Sequence, residues 1–214
     1  MLPAVVSSGA VLLVGGPTLW AVELGPLSSL MAQHLLVMNV IAPLAAAMIA
    51  QRFTGFNGHR WVWIAGLIQI AALWMWHAPQ LQRVAAASAV PHIIMLAALA
   101  VIATLYWAAV LRAQAQARWH SVGALLLTGK LACLLGGLLI FAPRDLFGLP
   151  GLALGFCRAG PSTLEDQQLA GLLMIAACPL SYVVAGVAMT AQMLLDLGRR
   201  PALLRAAPGG WATE

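Results

Sequence analysis

Apolar runs of about 20 residues follow one another along almost the whole chain, and each is long enough to cross a bilayer as a helix. The runs lack the strict alternation of apolar and polar residues that is typical of a membrane β-barrel. Only 8% of the residues are charged and 62% are hydrophobic, which is too little polar surface for a soluble domain of this size. The sequence therefore predicts an all-α, polytopic membrane helical bundle of about six transmembrane helices. The expected spans are residues 4–22, 27–50, 61–80, 90–111, 121–142 and 166–195.

The six spans leave no room for a separate soluble domain. We expect one transmembrane domain over residues 1–214, with a flexible tail over about 199–214. The first apolar run has no basic region before it, which favours a first span over a cleaved signal. The net charge of +5 does not indicate binding to nucleic acid, because the basic residues are mostly arginines between the spans.

The distribution of these arginines predicts the orientation of the bundle. The segments that follow spans two, four and six share one side and carry seven arginines, whereas the opposite side carries only Arg83, Arg144 and Arg158. Cytoplasmic loops of membrane proteins carry an excess of basic residues. We therefore expect the arginine-rich side, and with it both termini, to be cytoplasmic.

In this predicted orientation, three histidines and one carboxylate lie near the outer side of the membrane. His34, His77 and His92 come from three different spans, and Asp166 lies in the first turns of the last span. Ionisable groups within spans are costly and usually face an interior site or a partner. A single histidine at this depth often just sits among the lipid headgroups, but the shared depth of three favours a site.

The residues around His34 indicate which metal such a site would take. Met31 and Met38 stand three residues before and four residues after His34, so a regular helix places all three on one face. Neutral imidazole binds copper, zinc and haem iron, and thioether sulfur favours Cu(I). The sequence therefore predicts a Cu(I) site made from these three residues together with His77 and His92. Simple packing is the alternative for both methionines.

Other polar residues have expected supporting roles. Asp166 is expected to orient a histidine or to form an ion pair with Arg144, and its alternative role is to stabilise a helix N-terminus. Ser162 and Glu165 have the spacing of a capping box for the last helix.

Three further features lie outside this set. The connection of residues 143–161 is unusually apolar and is expected to pack over the outer site or to dock a partner. His59 and His120 are expected in cytoplasmic loops. Lys130 is expected to extend its side chain toward the cytoplasmic interface.

Five segments resemble a known family, and they occur in its order. They are "MAQHLLVMNVIAP", "LWMWHAP", the His92 segment that runs to "LYW", "GGLLIFAPRDLF" and "DQQLAGLLM". The chain resembles the CtaG family of membrane-embedded assembly factors for caa-type cytochrome c oxidase over about residues 27–180. The resemblance implies a multi-pass protein of the bacterial inner (plasma) membrane with no catalytic activity. It also implies oxidase subunits as clients and a role in copper delivery.

The resemblance also implies functional residues. The matching positions are His34, His77, His92 and Asp166, and the neighbouring Gln33 and Gln167 belong to the same motifs, as candidates for a supporting shell. Family members show a second histidine four residues after the position of His92, where this chain has Leu96. One candidate ligand is therefore missing here.

Two other functions remain open from the sequence. His34 and His92 are candidates for the axial ligands of a b-type haem in a membrane electron carrier. A small-solute transporter is less favoured, because the chain shows no inverted repeat or paired broken helices. A hydrolase or a transferase is not expected, since no pairing of a nucleophile with a base is evident.

Overall fold

The protein is described here by a computed structural model that covers residues 24–49, 59–113, 117–149 and 163–206, with backbone only from residue 199 onward. All regular elements in these ranges are helical. They are α1 (Pro26–Leu36), a π-helical turn (Val37–Ile41), α2 (Ala42–Ile49), α3 (His59–Trp76), α4 (Pro79–Ala87), α5 (Ala89–Leu111), α6 (Arg118–Phe141) and α7 (Leu164–Ala206).

Four helices in the described ranges are long and apolar enough to cross a membrane, with α1, the π turn and α2 counted as one. A fifth is obtained if α3 and α4, which meet at a sharp bend, are counted together. The all-helical class is thus confirmed for the described residues, and the length and composition of these helices agree with a multi-pass membrane protein. The predicted first span, residues 4–22, lies outside the described residues, so the number six and the orientation of the termini stay predictions.

The predicted span 61–80 is wrong at its C-terminal end, because α3 stops at Trp76. The chain then bends by 72° into the short helix α4. Pro79 opens α4, and Ala78 before it is extended, with φ −63° and ψ 131°. A residue that precedes proline is disfavoured in helical conformation, which accounts for the break. His77 consequently lies at a corner of the chain.

The π turn between α1 and α2 has a local cause. The Ala42 N–H bonds to the Val37 carbonyl, five residues back, so the Met38 carbonyl loses its usual helical donor. The next candidate donor would be Pro43, which has no N–H. The Met38 carbonyl instead accepts a 3.2 Å hydrogen bond from the indole Nε1 of Trp107 on α5. The orphaned carbonyl thereby ties the first described span to α5.

The spans form a ring around one continuous core. The α1–α2 span packs beside α7, α7 beside α6, α6 beside α3, and α3 beside α5, which returns to α2. The core contains aromatic residues from α5 and α7 as well as many small aliphatic ones. The ring brings the ends of α1, α3, α5 and α7 that carry the three histidines and Asp166 to one end of the bundle.

Two glycines set the closest helix approach. A Cβ on Gly171 of α7 would lie 2.7 Å from the Gly136 carbonyl oxygen of α6, and a Cβ on Gly136 would lie 2.9 Å from the Gly171 carbonyl oxygen. Both values are shorter than van der Waals contact, and both neighbours are backbone atoms that cannot rotate away. Small residues allow this kind of approach in membranes, where dispersion contacts between helices drive association.

We expect Gly171→Ala to lower the stability of the bundle by about 1–3 kcal/mol, because the added methyl forces α6 and α7 apart. Gly186→Ala on the same helix is the matched control, since a Cβ there meets nothing within 4 Å. That control should be neutral or stabilising by up to about 1 kcal/mol, because alanine is the better helix former. Unfolding in mixed detergent measures both. Equal stability of the two variants would contradict the packing account.

Candidate metal site at the histidine end of the bundle

The N-terminus of α1 is capped by a carboxylate from a different helix. Gly25 precedes α1 and brings no side-chain cap. Instead Asp166 of α7 accepts hydrogen bonds from the Leu27 N–H at 2.8 Å and the Ser28 N–H at 3.1 Å, and another from the Ser28 hydroxyl. A carboxylate at this position satisfies orphan N–H groups and complements the helix dipole. A Cβ on Gly25 would lie 2.3 Å from the Asp166 carboxyl carbon, so only glycine leaves room for this cap.

These contacts differ from the predicted role of Asp166. The sequence favoured a partner among the histidines or an ion pair with Arg144, but the contacts described for Asp166 go to the N-terminus of α1. Arg144 is exposed, and its carbonyl oxygen lies 3.4 Å from Gln167 Nε2. The alternative considered for Asp166, support of a helix N-terminus, is the one the geometry matches, although the helix it serves is α1.

His77 and Met31 meet inside the bundle. The Nδ1 of His77 lies 2.7 Å from the Leu73 carbonyl, a pure acceptor, so Nδ1 carries the ring hydrogen and donates it. The Nε2 atom then bears a lone pair, and it lies 3.1 Å from the Met31 sulfur. Both side chains are buried. Two electron-pair donors, of which the thioether is soft, therefore face each other with no hydrogen between them.

His34 lies beside this pair with both ring nitrogens buried and without a hydrogen-bond partner in the described structure. Its ring centroid is 5.7 Å from that of His77, edge to face. An unsatisfied buried polar atom destabilises the folded state by about 1–3 kcal/mol, so the buried His34 ring lowers stability unless a ligand binds it.

His92 is held by Gln33, the residue before His34. Its Nε2 lies 2.8 Å from the Gln33 side-chain oxygen, so Nε2 donates and Nδ1 keeps a lone pair. That Nδ1 is buried and has no partner among the described residues. Gln33 thus orients a histidine from outside the pair, and its role as a supporting residue of a metal site stays a prediction.

The described residues do not bring three His, Cys, Asp or Glu side chains to a common metal-binding point. The closest contact is between His77 and Met31, and the ring of His34 lies beside His77. His92 instead contacts Gln33. Met38 is buried, and the contact described for it runs through its backbone carbonyl to Trp107. The arrangement thus offers one nitrogen and one sulfur at close range and a second imidazole next to them.

The comparisons with known proteins bear on what this grouping serves. The model of the cytochrome c oxidase caa3 assembly factor family (CtaG) matches residues 5–195, which is most of the chain. The chain belongs to this family. No curated protein and no solved structure matches the chain. The family confirms the resemblance inferred from the sequence motifs and gives cytochrome c oxidase as the client of assembly.

The histidine end of this CtaG-family chain is closed by the segment that follows α6. Gln167 is fully buried and accepts from the Leu146 N–H at 2.8 Å while donating to the Leu139 carbonyl at 3.0 Å. Arg83 of α4 donates to the Phe147 carbonyl at 2.6 Å. Phe147 is 1% exposed and belongs to the same core as Met31. Residues 146–149 of the predicted covering loop are therefore packed inward. The rest of that loop, residues 150–161, lies outside the described residues.

The predicted capping box of α7 is shifted by one residue. The Thr163 hydroxyl accepts from the Asp166 N–H at 3.2 Å, and α7 begins at Leu164. Thr163 is thus the capping residue, and Ser162 lies outside the described residues. Asp166 is the third residue after this cap, and its carboxylate contacts the N-terminus of α1 rather than that of α7.

The other two histidines are not in loops as predicted. His59 opens α3 and His120 lies in the first turn of α6, and their rings stack at 4.5 Å between centroids. The Nδ1 of His120 accepts a 3.1 Å hydrogen bond from the Trp63 indole, and its ring also stacks on Trp119. His120 therefore has a packing role at the opposite end of the bundle.

A buried polar network in the middle of the bundle was not predicted. Gln69 of α3 donates to the Tyr182 hydroxyl at 2.5 Å, and Ser181 donates to the Asn39 side-chain oxygen at 2.7 Å. Tyr182 also stacks on Trp107 at 5.4 Å with the planes 3° apart. The available signal was the presence of amide and hydroxyl residues within apolar spans, since such residues commonly join helices in membranes. This network fixes α7 against three other helices below the histidine end.

We expect Asp166→Ala to weaken the packing of α1 against α7 and to lower stability by about 1–2 kcal/mol, the range for a lost helix cap. Gly25→Ala should have a similar effect, because its methyl group displaces the same carboxylate. Glu165→Ala, at the exposed neighbouring position, is the control and should be neutral. Hydrogen exchange of the Leu27 and Ser28 amides measures the cap directly. Unchanged protection in Asp166→Ala would contradict it.

Proposed function

We propose that this family member holds Cu(I) at the outer face of the bacterial inner membrane and passes it to a cytochrome c oxidase subunit, without catalysing a reaction. One observation carries the proposal: the His77 Nε2 lone pair faces the Met31 sulfur at 3.1 Å inside the bundle. Neither atom has a hydrogen to offer the other. A soft cation bonded to both atoms would replace this unfavourable contact with two bonds.

The identity of the metal follows from the number and kind of ligands. Zinc in proteins generally takes four ligands in tetrahedral geometry, and the described histidines do not converge in that way. Cu(I) accepts fewer ligands and favours thioether sulfur. His77 and Met31 supply two ligands, and the unpartnered ring of His34 is positioned to supply a third after a change of side-chain rotamer. His92, held by Gln33, offers a further nitrogen that could receive the copper ion on its way to a client subunit.

A sparse site also suits handover. Leu96 replaces the histidine that family members carry one turn after His92, and the close set contains no thiolate. Binding should therefore be weaker than at a closed structural site, which allows a client subunit to take the metal. The outer location is supported by the arginine count over the whole sequence, of which Arg60, Arg112 and Arg118 in the described part lie at the end opposite the histidines and Arg83 and Arg144 at the histidine end.

We expect Met31→Leu to weaken Cu(I) binding about tenfold or more, which corresponds to about 1.4 kcal/mol. Leucine and methionine have similar volume, so the fold should be retained. Met174→Leu is the matched control, since Met174 is also buried but belongs to the contact between α6 and α7. Competition with a chromophoric Cu(I) chelator measures affinity, and oxidase activity under copper limitation measures maturation.

Two results would contradict this function. The first is equal Cu(I) affinity in Met31→Leu, Met174→Leu and the unchanged protein. The second is a reduced b-type haem band in the visible spectrum of the purified protein, which would instead support axial ligation by His34 and His92.

A further inference from the structure

The lysine in α6 stands at the middle of a membrane span. Lys130 lies twelve residues after Arg118 and eleven before Phe141, the ends of the helix. The rise from Arg118 to Lys130 is about 18 Å, far more than the four-carbon stem of a lysine can span. The sequence-based expectation that Lys130 reaches the cytoplasmic interface is therefore difficult to meet from this position.

Lys130 also points away from its own bundle. The side chain is exposed, as are Leu127 and Leu134 one turn to either side. The ion pair described in the structure, Arg118 with Asp196, lies at the end of α6, and Lys130 has no carboxylate partner among the described residues. Charged residues within spans are costly in hydrocarbon and almost always pair with another group. An exposed, unpaired lysine at mid-span therefore indicates a partner outside the described bundle.

The chain itself has no suitable carboxylate to offer, even from a second copy. Its six acidic residues all lie at or beyond the ends of the apolar runs. Asp166 is engaged at the N-terminus of α1, and Asp196 is paired with Arg118. The remaining four are Glu23, Asp145, Glu165 and Glu214. The counter-charge must therefore come from a different protein.

The surface around Lys130 has the shape that a helix requires. Gly137 lies seven residues on, on the same face of α6, and a Cβ there would meet nothing within 4 Å. Toward the N-terminus of α6 from Lys130, Leu127 lines a small depression between α3 and α6 together with Leu67 and Ile70. A small residue on the same helix face as a polar one permits close approach of a neighbouring helix.

We propose that this face of α6 docks a transmembrane helix of a different membrane protein, one that carries an Asp or Glu carboxylate at the depth of Lys130. The occupant is defined by charge complementarity in hydrocarbon. The inference does not depend on copper binding at the histidine end, about half the length of α6 away. A subunit of the oxidase that this family assembles has the required chemistry if one of its spans carries such a carboxylate.

The test uses the full chain in lipid vesicles with a synthetic leucine-rich transmembrane helix as the probe. Energy transfer between labels on the two measures association. We expect the probe with a single central Asp to bind about tenfold more tightly than probes with Leu or Asn at that position. Lys130→Leu should abolish the preference, while Lys130→Arg, which keeps the charge, should retain it.

Three results would overturn the proposal. Equal binding of the Asp and Leu probes would show that binding requires no charge. A preference for the Asp probe that survives Lys130→Leu would show that the docking surface does not include Lys130. In native membranes, a photo-crosslinking residue at Leu134 should give an adduct with a carboxylate-bearing span, lost in Lys130→Leu. The third overturning result is an adduct with a second copy of this chain, which would show that the face serves self-association. Cu(I) affinity of Lys130→Leu should stay unchanged, which separates this surface from the proposed copper function.

Discussion

The carboxylate of Asp166 fixes the start of α1 against α7, and the positions of Met31 and His34 follow from that contact. The first turn of α1 has no cap of its own, so its exposed N–H groups require an acceptor from elsewhere in the bundle. Gly25 leaves the space in which the carboxylate sits. One turn further along, Met31 reaches the corner where α3 ends, and the corner exists because Pro79 stops that helix. A cap and a helix break together bring a sulfur to an imidazole.

Buried polar groups of the bundle differ in whether they find a hydrogen-bond partner. The Met38 carbonyl freed by the π turn finds Trp107, and Gln167 satisfies the chain after α6 with several hydrogen bonds. In contrast, both nitrogens of His34 and the Nδ1 of His92 have no partner in the described structure, although all are buried. Proteins rarely leave such groups unsatisfied without a functional reason. Asn39, Gln69, Gln82 and Ser121 also have unpartnered buried atoms. Those of His34 and His92 differ in being imidazole nitrogens near the His77–Met31 contact, and this is the physical basis for assigning a metal ligand to this end.

The sequence predicted the helical class and the grouping of three histidines at one end of the bundle, because apolar length and ionisable residues within spans are local signals. It placed His34, His77 and His92 at one end, where the structure also has them. The role of Asp166 was not predictable, since a cap supplied by a distant helix depends on how α1 and α7 pack. The bend at Pro79 was missed because an apolar run continues through Trp76 toward α4. His59 and His120 were assigned to loops because charge near helix ends looks the same in both settings.

X-ray absorption spectroscopy of the Cu(I)-loaded protein tests the central claim most directly. The account predicts a copper centre of low coordination number, bound by both nitrogen and sulfur. In Met31→Leu the sulfur contribution should disappear, while Met174→Leu should leave the spectrum unchanged. A copper environment without sulfur in the unchanged protein, or one that Met31→Leu does not alter, would contradict the assignment of His77 and Met31 as the metal-binding pair.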